Sequence, residues 1–239
     1  MQSLILAAGR GTRIAKITKT KPKCLININK KSILKRQIDF FRRLKINKVN
    51  VIKGYKQNKI AYKNINYILN KKFKHTEQLD SLFVAKKVLK NDLIIAFSDI
   101  IYDFSVIKKI FKSKSQNISI AIDKKWKKRY VNRFDHPYNQ ADKVKISNNK
   151  ISKIGKNLNI KDADAEFVGI LKLNSRGCKI FLKEYQNLKK KVKTNKLQLH
   201  NFIQYLIVKK YKISFIDISG NLMEIDTYND FKIAKRLFE

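Results

Sequence analysis

The stretch MQSLILAAGRGTRIAKITKTKPKCLI, residues 1–26, decides the fold. Leu4, Ile5 and Leu6 form the short apolar run of a buried strand, and Ala7-Ala8 carry it into Gly9-Arg10-Gly11-Thr12-Arg13. Glycine at 9 and 11 removes side chains where the backbone turns sharply or lets a bulky partner approach. Arg13 and Lys23 set fixed positive charge on either side of that turn. A strand, a glycine loop and flanking cations together read as a cradle for an anion.

Working outward, apolar strands alternate with helices. Ser32 is placed as the N-cap of a helix reaching Leu44, whose Leu34, Ile38 and Phe41 share one face. NKVNVIKGY (47–55), INYIL (65–69), LIIAF (93–97) and NISIAI (117–122) read as strands, with helices expected over 78–89 and 104–111. This alternation predicts an α/β fold, a doubly wound and mostly parallel nucleotide-binding sheet. The run from Asp123 to Asp142 breaks the pattern, being polar, charged and aromatic without a period. KVKIS and KISKIG flank Asn148-Asn149 as a small β-hairpin insertion. AEFVGILKL (165–173), a helix from Ser175, a helix over 197–208, KISFIDI (212–218) and LMEID (222–226) follow. Thr227 and Asp230 read as a capping box on a last helix. No repeat interrupts the chain, so residues 1–239 are expected to form one domain. Residues 1–122 would be its nucleotide half, and 123–239 its acceptor half with a closing acidic strand.

Composition narrows the function. The 239 residues carry a formal charge of +37, but 46 of the 55 basic residues are lysines spread over every segment, and only nine are arginine. Sequence-specific nucleic-acid readers lean on arginine forks, so the charge reads as compositional and a nucleic-acid partner is disfavoured. Cys24 and Cys178 are far apart with no CxxC pair, which fits a reducing cytoplasm. His75, His136 and His200 are too scattered for a zinc motif. No apolar run approaches the roughly 18 residues of a membrane span. The apolar start reads as a strand, not a signal peptide.

Two standard phosphate motifs fail at the same place. A Walker loop and a dinucleotide fingerprint each need another residue where Ile14 stands. What remains, LAAGRGTR followed by KPKCLI, resembles the N-terminal signature of the nucleoside-triphosphate transferases that activate sugar phosphates, phosphocholine and phosphonates. VIKGYK, SLFVAKKVL, FSDIIYD and GNLMEIDTYNDF fall in that family's order, so the resemblance covers nearly the whole chain. It implies a nucleotidyltransferase with Leu6, Ala8, Gly9, Gly11, Thr12, Arg13, Lys23 and Ser81 around the nucleotide. The middle segment resembles the cytidylyltransferase domains found alone or fused to phosphoenolpyruvate mutases in phosphonate biosynthesis, through Trp126-x-x-Arg129-Tyr130, Arg133-x-x-His136-Pro137, Ile154-Gly155-Lys156 and Glu166-Phe167-Val168-Gly169. Phosphocholine enzymes are close cousins.

Asp99 and Asp226 each follow an apolar strand, at the edge where such sheets bind ligands. Oxygen ligands from two strand ends suit Mg²⁺, and the resemblance gives this pair the metal-holding role, with Glu224 and Asp103 near enough to assist. The reaction the resemblance implies is in-line attack of an acceptor oxyanion on the nucleotide's α-phosphate with loss of pyrophosphate, the nucleotide being CTP as in the resembled branch. Arg13, Lys23 and Lys156 would stabilise charge, and no general base is needed. Arg129 and Arg133 would clamp the acceptor's phosphonate or phosphate with Lys156. Glu166, Asp135 or Asp142 would receive an amine, and Trp126 with Tyr130 would wall a quaternary ammonium. The expected acceptor is a phosphonate of the 2-aminoethyl or 2-hydroxyethyl kind. A phosphocholine or phosphoethanolamine enzyme, a sugar-1-phosphate enzyme and a basic nucleic-acid binder are the alternatives. A phosphoenolpyruvate mutase partner and a homodimer are compatible with the resemblance.

Overall fold

A computed structural model describes residues 1–194 and 196–238. Its strands are β1 (Gln2–Ala7), β2 (Asn27–Ile28), β3 (Lys31–Ser32), β4 (Val49–Lys53), β5 (Asn66–Leu69), β6 (Leu93–Phe97), β7 (Ile100–Tyr102), β8 (Ile118–Asp123), β9 (Lys143–Ser147), β10 (Lys150–Gly155), β11 (Ala165–Leu173), β12 (Ser214–Asp217) and β13 (Leu222–Glu224). The main sheet runs β10-β9-β11-β6-β1-β4-β5, with β8 also pairing β11 and β12 pairing β8. β6, β1, β4 and β5 are mutually parallel, whereas β11 runs antiparallel to β6, β8 and β9. The doubly wound α/β class is therefore adopted, as a mixed sheet around a parallel centre.

The central strands explain themselves chemically. β6 is buried along its whole length, as its unbroken LIIAF run requires for a strand covered on both faces. Helix Ile33–Arg43 begins where Ser32 accepts a hydrogen bond from the Lys35 N–H at 3.1 Å, and it buries Ile33, Leu34, Ile38 and Phe41. The hairpin β9–β10 turns at Asn148 and Asn149, both with positive φ, the primed turn that asparagine tolerates. Thr227 and Asp230 make the reciprocal cap on helix Tyr228–Leu237. No described helix is long and apolar enough to cross a membrane.

Two expectations change. The helix predicted over 78–89 ends at Val84, and a 3-10 turn over Lys86–Val88 follows. The tighter turn keeps Ala85, Val88 and Leu89 all facing the core. Ile100–Tyr102, read only as the tail of FSDIIYD, is a strand that pairs antiparallel with β13 in a small separate sheet. That ladder, with Glu224 opposite Ile100, brings two distant strand ends together.

Candidate active site

The glycine loop holds the first cations in place. Gly11 has φ +74°, and a Cβ there would lie 2.9 Å from the Lys23 Cβ, so only glycine lets the loop close on that lysine. Gly9 faces open space, where a side chain would intrude on the recess it lines. The Thr18 hydroxyl donates to the Gly11 carbonyl at 2.8 Å and ties the loop to the helix after it. Pro22 is extended and starts the short turn that aims Lys23 inward.

Lys23 is 7% exposed, and its Nζ donates to Asp99 Oδ2 at 2.8 Å and to Asp226 Oδ1. Arg13 reaches the other Asp226 oxygen at 2.6 Å. Burial alone would lower the Lys23 ammonium, but Asp99, Asp226 and Glu224 more than offset it and hold the pKa above its ordinary value. Burial would raise Asp226, yet Lys23 and Arg13 bring it down to about 2. Burial, then Asp226 and Asp99, push the Glu224 carboxyl upward. Asp99 Oδ1 is buried without a hydrogen-bond partner. Such an oxygen-rich set with one uncommitted carboxylate oxygen is a donor set a hard divalent cation can use.

Two recesses meet here. The larger, about 810 Å³, is lined by Leu6, Ala8, Gly9, Gly11, Thr12, Arg13, Lys23, Ser81, Asp99 and Asp226, so the predicted nucleotide residues converge on one cleft. The smaller is lined by Arg129, Lys156, Glu166 and Asp142, and shares Arg13, Gln78, Glu224 and Asp226 with the larger. Arg129 Nε donates to Asp123 at 2.6 Å and its Nη2 to Glu166, while the Tyr130 hydroxyl also donates to Glu166 at 2.6 Å. One guanidinium is therefore shared between two carboxylates, and Arg129 and Glu166 both line the recess. Asp142 lies 2.8 Å from His200.

Several expected acceptor contacts lie elsewhere. Arg133 does not line either recess; its side chain is 1% exposed and bonded to Asp230 at 2.7 Å. Trp126 is 1% exposed and packs edge-on against Tyr130 and Tyr138 in a small core with Ala141 and Ala163, so it forms no wall of the cleft. Asp135 lies beside Thr227 and Tyr228, and Asp103 is exposed at the start of helix Phe104–Lys112.

One residue escaped the sequence reading. Gln37 sits on the apolar face of helix Ile33–Arg43, 1% exposed, and donates to the carbonyls of Phe97 and Ile100, each at 2.9 Å. It clamps the turn that carries Asp99. Its only signal was a polar side chain between Leu34 and Ile38 on a buried face.

A glycine-lined cleft at the carboxyl ends of parallel strands, with paired cations and carboxylates, defines a nucleotidyltransferase. Residues 3–138 match the model of the MobA-like NTP transferase domain, and the chain belongs to that family. Over 98% of both chains it is 29% identical to the CTP:phosphoglutamine cytidylyltransferase of Campylobacter jejuni. It is 33% identical to the choline-phosphate cytidylyltransferase of Streptococcus pneumoniae, over 40% of this chain and 43% of that one. The inositol-1-phosphate CTP transferase of T. maritima has the same fold, with a TM-score of 0.77 at 17% identity over 100% of this chain and 96% of that one.

Proposed function

We propose that this nucleotidyltransferase moves CMP from CTP to a small phosphonyl or phosphoryl acceptor and releases pyrophosphate. The observation that carries this reading is the Lys23–Asp99–Asp226 cluster at the junction of the two recesses, with Arg13 on its rim. CTP takes the larger recess, its phosphates against the Gly9–Arg13 backbone and its base near Leu6, Ala8 and Ser81. The acceptor takes the smaller one. Use of CTP by the full-length relative and by choline-phosphate cytidylyltransferase supports the choice of base.

Asp99 and Asp226, with Glu224 beside them, would hold Mg²⁺. Bound there, the ion would supply charge stabilisation at the phosphates. His136 lies within reach of Glu224 and Asp226, but its Nδ1 is only 3.1 Å from Arg133 Nη2, which favours an all-oxygen set. The chain's own work is alignment and neutralisation. Lys23 and Arg13 face the triphosphate, Lys156 the acceptor anion, and the acceptor attacks as an oxyanion already formed.

Glu77, Asp142 and Glu166 around the smaller recess suit an acceptor that also bears an amine. We rank a 2-aminoethylphosphonate-type acceptor and a phosphorylated amino-acid amide ahead of phosphocholine, because Trp126 is turned into the core. An upstream enzyme of the phosphoenolpyruvate mutase kind, a cytoplasmic setting and a homodimer accompany the phosphonate form of this reading.

Pyrophosphate release with CTP, UTP, ATP and GTP tests it, each paired with 2-aminoethylphosphonate, 2-hydroxyethylphosphonate, phosphoglutamine, phosphocholine and glucose-1-phosphate. Turnover with CTP and a phosphonate or phosphoglutamine, lost in Asp99→Ala, is expected. Turnover with phosphocholine alone would move the acceptor. Turnover only with another nucleotide, or none at all, would overturn the reading.

A further inference from the structure

Arg133 lies in the irregular segment between β8 and β9, the same segment that supplies Arg129 and Asp142 to the smaller recess. Its guanidinium is engaged away from that recess through Nε and Nη2. Nε donates to Asp230 Oδ1 at 2.7 Å, and Nη2 donates to the Glu224 carbonyl and faces His136 Nδ1, both at 3.1 Å. The Tyr130 ring lies 5.0 Å below it.

Asp230 spends its other oxygen on backbone. Oδ2 accepts from the Asp226 N–H at 3.0 Å and from the Thr227 N–H at 2.9 Å. The carboxylate that caps the last helix thus also fixes the backbone of Asp226, and Arg133 fixes that carboxylate. The Glu224 carbonyl, two residues before Asp226, is held by the same guanidinium. Both partners are nearly solvent-free, at 1% and 0% side-chain exposure, so the geometry has little freedom to relax.

We infer that Arg133 is a positioning residue for Asp226: it orients that carboxylate in the nucleotide cleft and does not bind the acceptor. This rests on the reading of Asp226 as a site carboxylate. The route also runs backward, since Tyr130, under the guanidinium, donates to Glu166 on the acceptor side. The segment that walls the acceptor recess is thereby the segment that steadies the nucleotide site.

The test compares wild type with Arg133→Gln, Arg133→Lys and Asp230→Asn at a temperature where melting shows each to be folded. The readouts are kcat, KM for the acceptor, and affinity for Mn²⁺ alone by electron paramagnetic resonance. Displacement of a site group by about 1 Å costs on the order of 10²-fold in rate, so Arg133→Gln should lose kcat by about 10- to 100-fold with acceptor KM within about twofold. Mn²⁺ affinity should fall several-fold, and Arg133→Lys should recover part of both. A rise in acceptor KM at unchanged kcat would overturn the inference in favour of an acceptor clamp. A lower melting temperature with kcat and Mn²⁺ affinity unchanged would overturn it in favour of a purely structural bond. If Arg133→Gln does not fold, Asp230→Asn and Arg133→Lys decide by the same criteria. Asp226→Asn is the separate control: full turnover there would mean that the site reading itself had failed, whatever Arg133 does.

Discussion

The backbone N–H of Ile225 donates to the carbonyl of Asp99 at 2.9 Å, and this bond sets the two site carboxylates side by side. It extends the β7–β13 ladder by one step, so Asp99 and Asp226 flank the point where the small sheet ends. Lys23 then meets both.

Asp99→Asn and Asp226→Asn should each lower turnover by about 10²–10³-fold, the usual cost of removing one charge-stabilising group. Stopped-flow pyrophosphate release measures it. A loss below about tenfold in both variants would place the chemistry elsewhere.

Gly11→Ala should weaken CTP use. The position has φ +74° and its new methyl would meet Lys23 at 2.9 Å. Left-handed backbone costs a non-glycine residue about 1–2 kcal/mol, and here the clash is with the lysine that must stay aimed. KM for CTP should rise with acceptor KM unchanged, and wild-type kinetics would show that the loop tolerates a side chain.

Lys156→Ala should do the converse. Lys156 lines the smaller recess and not the larger, so acceptor KM should rise while CTP affinity, read by calorimetry, stays within about twofold, as expected for a contact that only one substrate makes.

Gln37→Leu should lower both melting temperature and kcat. It strands the Phe97 and Ile100 carbonyls, a loss of about 1–3 kcal/mol for each buried group left unpaired, and frees the turn bearing Asp99. A stable variant with full activity would show that the turn holds without its clamp.

Acid should unfold the protein partly through Asp226. Its folded pKa, about 2, lies below the ordinary value near 3.9, so its stabilisation is complete above that ordinary value and is lost as pH falls towards the folded one. Urea unfolding between about pH 4 and pH 2 should therefore show a steep fall in wild type and a shallower one in Asp226→Asn. Equal slopes would mean that other carboxylates carry the acid sensitivity.

Much of this was legible because it is local. The LIIAF run, the Ser32 cap, the Asn148-Asn149 turn and the Thr227–Asp230 box each write their geometry within a few residues. The glycine loop was legible for the same reason. The middle segment was not, because it has no period to say which way a side chain turns, and its partners range from a few positions away to almost a hundred. Arg133 reads equally well as a clamp for an acceptor until Asp230 is seen to take it. Trp126 reads as a cage wall until Tyr130 and Tyr138 close over it. Gln37 was hidden by the reverse problem, since one polar residue on an apolar face carries no address for its partners.

The pairing of Lys23 with both Asp99 and Asp226 has a further consequence, for the order in which the molecule is made. Lys23 emerges from the ribosome early and Asp226 late, and contacts so far apart in sequence form slowly because a long loop must close first. Until β13 docks on β7, the nascent chain carries the lysine without its second counter-charge and the Asp99 turn without the Ile225 bond. The Lys23–Asp99–Asp226 cluster is thus among the last parts of the molecule to exist, and a chain stalled before that step would hold a nearly complete sheet with the cluster unassembled.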